Sequence, residues 1–290
     1  VILESNSLKC WGRNIEGQIG VGNSNARIST PSSVSLNQDK IVGMFLGNYH
    51  TCGVMSNGAV KCWGRNLFGQ LGDSTNSDTN QPPSSSILGG SNQVLLPERD
   101  IDGNGILNIF QAIKIQSNHA HLIDSGSDHR CIIGLNNSSN SDVYCWGAGS
   151  GNQIGDLNTS DADYPRRIIH REHYTRQLEW ESVFASDRDT CGKTTDGGFH
   201  CWGSVYTGDP SPLTQFYGNV PSGVIFEKIV IQSGGPICAL TSHESAMPHS
   251  VYCDFIELLP LNSSWSMQHV NLGQSVLKID IGMRHACAIL

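Results

Sequence analysis

One phrase recurs along this chain, and an internal repeat limits what a chain can fold into more than any single motif does. Its clearest copy is Gly58-Ala59-Val60-Lys61-Cys62-Trp63-Gly64-Arg65-Asn66-Leu67-Phe68-Gly69-Gln70-Leu71-Gly72-Asp73. Weaker copies are Lys9-Cys10-Trp11-Gly12-Arg13-Asn14-Ile15-Glu16-Gly17-Gln18-Ile19-Gly20, Tyr144-Cys145-Trp146-Gly147, His200-Cys201-Trp202-Gly203 and a worn Tyr252-Cys253-Asp254. A second phrase precedes four of them by one short hairpin: Tyr49-His50-Thr51-Cys52, His129-Arg130-Cys131, Asp189-Thr190-Cys191 and Pro236-Ile237-Cys238. A fifth version, His285-Ala286-Cys287-Ala288-Ile289-Leu290, stands at the end of the sequence.

The steps between the tryptophans, or their equivalent Asp254, are 52, 83, 56 and 52 residues, so only the second unit carries extra length. A period near fifty with short alternating segments and Gly-rich turns predicts a toroidal β array, each unit a four-stranded blade. Val54, Val60 and Lys61-Cys62-Trp63 flank the turn Ser56-Asn57-Gly58 as a short hairpin. Each Trp is expected as filler between blades rather than as an exposed ligand platform.

The run Cys62-Trp63-Gly64-Arg65-Asn66-x-x-Gly69-Gln70-Leu71-Gly72-Asp73, after Gly47-x-x-His50-x-Cys52, resembles the repeat of the regulator of chromosome condensation family, and especially its cysteine-bearing secreted relatives. The likeness runs over nearly the whole chain except about residues 84–112. It implies a β-propeller, usually of seven blades. Only five units are counted here, so the ring is small or the array is longer. The expectation is therefore all-β: a propeller of about five four-stranded blades. It forms one domain over residues 1–290, with an inserted loop at 84–112.

Eight of the ten cysteines fall into sequence-adjacent pairs: Cys52 with Cys62, Cys131 with Cys145, Cys191 with Cys201, and Cys238 with Cys253. Cys10 and Cys287 remain. Read from the C-terminus round to the N-terminus, their separation is 13, within the range of the other four. The N-terminal strand is thus expected to join the last blade and close the ring, with a Cys10–Cys287 bridge. Zinc is the competing reading, but zinc thiolates come in close Cys-x2-Cys pairs, and no such spacing is present. Disulfides imply an oxidising compartment, hence an extracellular or cell-surface location.

The formal net charge is −8, and no Lys/Arg run stands out, which argues against nucleic acid as a partner. No apolar stretch reaches the eighteen residues of a membrane span. Val1-Ile2-Leu3 reads as the direct start of a strand, as in a mature or excised chain.

Between the repeats, residues 25–40 read as an exposed connection and Ile41–Leu46 as a buried inner strand. Ser74–Gln93 reads as a polar loop. The insertion contains Asp100-Ile101-Asp102-Gly103-Asn104-Gly105-Ile106-Leu107-Asn108-Ile109-Phe110-Gln111, which resembles the calcium loop of the EF-hand. Asp100, Asp102, Asn104 and Asn108 would supply oxygens, Ile106 its carbonyl, and Gln111 the position usually held by a bidentate Glu. A neutral amide there lowers affinity; the alternative is an Asn/Gly turn without metal. Asn136, Asn137, Asn158 and Asn262 each open an Asn-x-Ser/Thr acceptor for glycosylation. Arg166, Arg167, Arg171 and Arg176 form a local basic cluster offset by Glu172, Glu179 and Glu181, read as a solvated face.

No catalytic residue is nominated. His50, His129 and His285 share one repeat position and are expected to satisfy turn or strand backbone, and there is no Gly-x-Ser-x-Gly elbow or phosphate-cradling loop. Three functions compete. The first is an extracellular, non-enzymatic interaction or structural module binding other proteins or copies of itself, such as a building block of a surface fibre or coat. The second is a secreted enzyme or enzyme inhibitor acting through the propeller face. The third, implied by the resemblance, is guanine-nucleotide exchange.

Overall fold

The structure, a computed structural model, describes residues 2, 7–37, 40–55, 60–83, 123–135, 141–168, 178–196, 198–203, 211–212, 223–231, 237–254, 268–282 and 285–290. Among these residues the regular elements are all strands. They run in chain order as β1 (Leu8–Arg13), β2 (Arg27–Val34), β3 (Ile41–Leu46), β4 (His50–Met55), β5 (Val60–Gly64), β6 (Ile123–Ser125), β7 (His129–Leu135), β8 (Ser141–Gly147), β9 (Ala162–Arg167) and β10 (Trp180–Ala185). β11 (Asp189–Thr194), β12 (Phe199–Gly203), β13 (Ser211–Pro212), β14 (Phe226–Ile231), β15 (Ile237–Thr241), β16 (Val251–Asp254), β17 (Gln268–Val270), β18 (Lys278–Gly282) and β19 (His285–Ile289) follow.

Sequential neighbours pair antiparallel into separate small sheets: β1-β2, β3-β4-β5, β6-β7-β8-β9, β10-β11-β12-β13, β14-β15-β16-β17 and β18-β19. The first strand of one sheet lies beside the first strand of the next, β3 by β6, β6 by β10, β10 by β14 and β14 by β18. The middle strands carry the core: β4, β5, β11, β12 and β15 are buried along their whole length. The outermost strands β2, β9 and β13 each contain a proline, Pro31, Pro165 and Pro212, where a missing N–H costs no ladder bond. Apolar clusters lie between neighbouring sheets; one joins Val54, Leu71, Tyr144, Trp146, Val183 and Trp202 across three of them.

The repeated phrase makes a socket, and the tryptophan of the next unit fills it. Trp63, Trp146 and Trp202 are fully buried. Their indole Nε1–H groups donate to the carbonyls of Gln18, Gln70 and Gln153 in the preceding unit, at 3.1, 3.1 and 3.0 Å. The ring lies against a glycine two residues beyond that carbonyl. A Cβ on Gly20, Gly72 or Gly155 would stand 2.5, 2.7 or 2.7 Å from the indole nitrogen, and all three glycines hold positive φ. Asn66 shapes the socket loop from inside: its Oδ1 accepts from Leu71 N–H at 2.8 Å, and its Nδ2 donates to Asp73 Oδ1 and to the Thr75 carbonyl. Asn14 does the same for Ile19 in the first copy. Gln70 folds its amide oxygen back onto Phe68 N–H at 2.8 Å, as Gln18 does to Glu16 and Gln153 to Gly151. The motif residues thus hold one loop rigid enough to receive a large flat ring.

Two local expectations are corrected. Residues 25–40 are not simply a connection, because Arg27–Val34 pairs with β1 as a strand. β3 is an inner strand and Ile41 is fully buried, but Gly43, Met44 and Phe45 are half-buried and Leu46 is 62% exposed, since the far end reaches the turn into β4. At the N-terminus Ile2 bridges to Leu8 and packs against the apolar cluster around Leu8 and Cys10.

Trp146→Ala should cost about 3–5 kcal/mol in urea unfolding. Gly72→Ala should cost about 2–4 kcal/mol, because both the indole and the φ of +72° oppose a Cβ. Gly273→Ala, with similar φ but open space around it, should lose only about 1 kcal/mol. Equal losses at the two glycines would contradict the socket.

Candidate functional site

The cysteines sit where strand pairing directs them. Cys52 faces Cys62, Cys131 faces Cys145, Cys191 faces Cys201, and Cys238 faces Cys253, each directly across the middle hairpin of its sheet. Their Cα atoms are 4.1, 4.1, 4.0 and 4.1 Å apart and each pair is bonded. All eight are buried, so the links brace the sheets from within.

The fifth expected pair is not among these bonds. Cys10 and Cys287 are free thiols, the first buried and the second exposed. β1 pairs with β2, and β18 with β19, as two separate two-stranded sheets, so no described ladder bond brings the two cysteines opposite one another. Trp11 is 48% exposed, whereas its three equivalents are fully buried. Burial pushes the Cys10 thiol above its ordinary range.

The repeated histidines pack over the glycine of the turn that precedes them. A Cβ at Gly47 would fall 2.1 Å from the His50 ring, and one at Gly126 would fall 2.4 Å from the His129 ring. His129 reaches the next sheet, where Nε2 lies 2.8 Å from Thr190 Oγ1. That hydroxyl donates to the Gln153 carbonyl at 3.1 Å, so the ring nitrogen donates to it. The Nδ1 of His129 has no hydrogen-bond partner among the described residues. The expected backbone bond is thus replaced by one to the Thr190 side chain, which carries the contact on to the Gln153 carbonyl. His50 is buried, and its ring nitrogens have no partner among the described residues. Thr51 and Thr190 both donate to a socket carbonyl. Between them in the repeat stands Arg130, fully buried, with Nη1 against Cys62 Sγ at 3.4 Å and the other two guanidinium nitrogens without partners among the described residues. Burial pushes its pKa well below the usual range.

Burial also displaces two further groups far from their ordinary pKa. Burial pushes His129 down to about 4, against the opposing pull of Asp187. Burial pushes Asp124 up to about 6, although its carboxylate accepts from Ala185 N–H at 3.0 Å and Ser125 N–H at 2.8 Å.

The basic cluster is paired within the third unit. Arg166 meets Asp156 at 3.0 Å, and Arg167 meets the buried Asp142 at 2.9 Å. Glu181 pairs with Lys193 at 3.0 Å. The expected offset by glutamates is thus replaced by aspartates at Arg166 and Arg167; Arg171, Glu172 and Arg176 lie outside the described residues. Asn158 is exposed, its Oδ1 accepting from Ser160 N–H at 3.1 Å. Asn136, Asn137 and Asn262 lie outside the described residues, as does the insertion with Asp100, Asp102, Asn104, Ile106, Asn108 and Gln111. Among the described residues no three His, Cys, Asp or Glu side chains gather as metal ligands. No helix among them is long and apolar enough to cross a membrane.

Sequence reading missed the third socket, Gln153-Ile154-Gly155-Asp156. The signal was the spacing from Trp146, hidden because Asn152 replaces glycine. Asn152 still takes φ +59°, beside +79° and +75° at Gly17 and Gly69; asparagine is among the few residues that enter this region readily.

Two profiles of the regulator of chromosome condensation (RCC1) repeat match residues 8–54 and 41–70. The ultraviolet-B receptor UVR8 of Arabidopsis thaliana is 27% identical over 205 residues, 70% of this chain and 39% of that protein. The X-linked retinitis pigmentosa GTPase regulator homolog of Caenorhabditis elegans is 36% identical over 80 residues, 28% of this chain and 6% of that protein. The chain thus spans well under half the length of these curated relatives. The crystal structure of human WBSCR16 superposes with a TM-score of 0.65 at 17% identity, covering 97% of this chain and 68% of that one, a likeness of fold.

Acid should destabilise the protein in a defined window. Between pH ~6.5 and ~4 the unfolded chain binds a proton at residue 129 that the folded chain refuses, so stability falls by on the order of 3 kcal/mol as pH drops. Asp124 acts oppositely: from pH ~6 to ~3.8 the folded state binds the extra proton, and stability is gained as pH falls. Urea unfolding from pH 7.5 to 4 should therefore show a smaller loss of stability in His129→Gln between pH ~6.5 and ~4. Asp124→Asn should show a steeper decline below pH 6.

Proposed function

We propose that this chain, which carries RCC1 repeats on a propeller-type all-β fold, is an extracellular, non-enzymatic module for protein interaction, a building block of a surface fibre or coat. One observation carries the reading. Four cysteine pairs sit bonded in the buried middle hairpins of consecutive sheets. Such links form and persist in oxidising compartments. A guanine-nucleotide exchange role would place the chain in the reducing cytosol or nucleus, where they would not be kept.

Closure into a ring of five blades belongs to the same reading. β18-β19 has the place of a blade's first two strands, and β1-β2 that of its last two. The register of the complete hairpins, His50 opposite Gly64 and Cys52 opposite Cys62, would set His285 opposite Gly12 and Cys287 opposite Cys10. The exposed Trp11 ring and the open space around Gly12 mark the edge that a further strand covers in the other sheets. Closure through a second copy would instead give a head-to-tail fibre.

The remaining parts of the proposal are glycosylation, at Asn158 first because it is exposed and then at Asn136, Asn137 and Asn262, and a weak calcium site at residues 100–111 in the millimolar to sub-millimolar range of extracellular modules.

Peptide mapping without reduction should recover the four hairpin links together with a Cys10–Cys287 link, and added hexose mass at one or more of the four asparagines. Ten free thiols in protein from its natural source would overturn the extracellular reading. Native mass spectrometry at millimolar calcium should show one bound ion, lost in an Asp100→Asn, Asp102→Asn double variant.

A further inference from the structure

The first two units differ from the later ones at one end of their sheets. β3 ends at Leu46 where β4 begins at His50, and the ends of β1 and β5 lie at this same end, because β5 runs antiparallel to β4 and each is followed by the same socket loop. Three aliphatic side chains, Ile15, Leu46 and Leu67, stand about half exposed or more there. Among them runs a stack of alternating cations and rings. The Arg13 and Arg65 guanidinium carbons both lie 5.2 Å from the centre of the Tyr49 ring, and Arg65 lies 5.2 Å from that of Phe68.

The stack is held by the backbone beneath it. Arg65 N–H donates to the Tyr49 carbonyl at 2.9 Å, and Gly64, at φ +108°, lets the two loops close on each other. Stacking on aromatic faces leaves the edges of a guanidinium, with their N–H donors, pointing away from the rings. The described acidic groups near it are Glu16, Asp78 and Asp128, and Asp78 accepts from Asn66 N–H at 2.7 Å. Glu16 lies 3.8 Å from Arg13 at the rim, and Asp128 is within electrostatic reach of Arg65 but accepts from Gln70 at 3.2 Å. At the equivalent positions of the third unit stand Ala148, Ser150 and Gly151, with Asp128 in place of Tyr49, so the composition is confined to one sector. Two fixed cations on a chain of net charge −8 do not serve general solubility. Arg and Tyr among exposed aliphatics is the composition of an interface centre rather than of ordinary surface.

We propose that Arg13, Tyr49, Arg65 and Phe68, flanked by Ile15, Leu46 and Leu67, form a docking site for a segment of a partner protein that carries an Asp or Glu side chain next to an aliphatic one. The two guanidinium groups take the carboxylate, and the aliphatic side chain covers the exposed leucines. The proposal rests on the interaction-module reading and names the partner's chemistry.

The test is a random peptide library displayed on phage and panned against the intact, disulfide-bonded protein. Enriched peptides should share an acidic residue beside Leu, Ile, Val or Phe. Their binding should weaken at least tenfold in an Arg13→Gln, Arg65→Gln double variant and at higher salt. The single Arg13→Glu variant, changed at an exposed side chain, should weaken it too while leaving the unfolding midpoint unchanged, which separates a lost site from a lost fold. Enriched peptides without an acidic residue, peptides that bind the variants as tightly as the parent, or a library that yields no binder would each overturn the site. Peptides that bind elsewhere leave the interaction-module reading standing, and that reading is judged separately by the cysteine map.

Discussion

The seating of each tryptophan in the unit before it is the contact on which the rest of this architecture depends. A single repeat unit cannot bury its apolar face alone and needs a stacked neighbour to cover it. Here β5, β8 and β12 each deliver an indole into a pocket made by the preceding unit's Gln carbonyl and glycine. The ring is fully buried and its one polar group is satisfied, so the large area contributed by a Trp carries no unpaired donor. Because every socket belongs to one unit and every ring to the next, stability passes along the array as a chain of neighbour contacts. Asp254, in the tryptophan position of the fifth unit, marks where that chain of contacts changes character. There the neighbouring sheets are joined by Phe199, Phe226 and Tyr252 packed edge to face.

The disulfides answer a different need. Sockets tie sheet to sheet, whereas the cysteine links tie the two middle strands of one sheet to each other. A short hairpin link restricts the unfolded chain by about 2–3 kcal/mol. The two devices meet at one place. Arg130 takes the position where its neighbours carry a threonine bonded to the socket, and lies against the sulfur of Cys62 instead. A fully buried guanidinium with unmet donors costs stability, so the interface between the second and third sheets is less economical than the next one. There His129, Thr190 and the Gln153 carbonyl make a continuous chain.

These two sets of contacts leave the ends of the sheets free. Turn and socket loops emerge there, rigid because Asn, Gln and Gly side chains or backbones hold them from beneath, and open in composition at the positions between. That separation explains why a worn motif can still specify a blade: the buried residues are constrained by the fold, and the exposed ones are available for recognition.

Much of this was legible in the linear order of residues. The all-β class followed from the period, the four hairpin cysteine pairs from their short spacing, and the burial of Trp63, Trp146 and Trp202 from their place in a repeated strand. All of these are local relations, set within a dozen residues or recurring at a fixed step, and hydrophobic pattern and chain connectivity suffice to determine them. What receives each indole was not legible, because the Gln carbonyl and the glycine belong to a unit some forty-five to seventy-six residues earlier. Nor was the third socket, where Asn152 adopts a glycine's backbone. The stacking of Arg13 and Arg65 on Tyr49 joins residues of two sheets. The pairing of Arg167 with the buried Asp142 instead joins neighbouring strands β8 and β9 of one sheet, across the long connection between them. The sequence alone therefore determined the kind of unit and its internal braces. Only the tertiary structure decided which carbonyl meets which ring, which charges are neutralised and which remain exposed, since those depend on distances between units that no periodicity encodes.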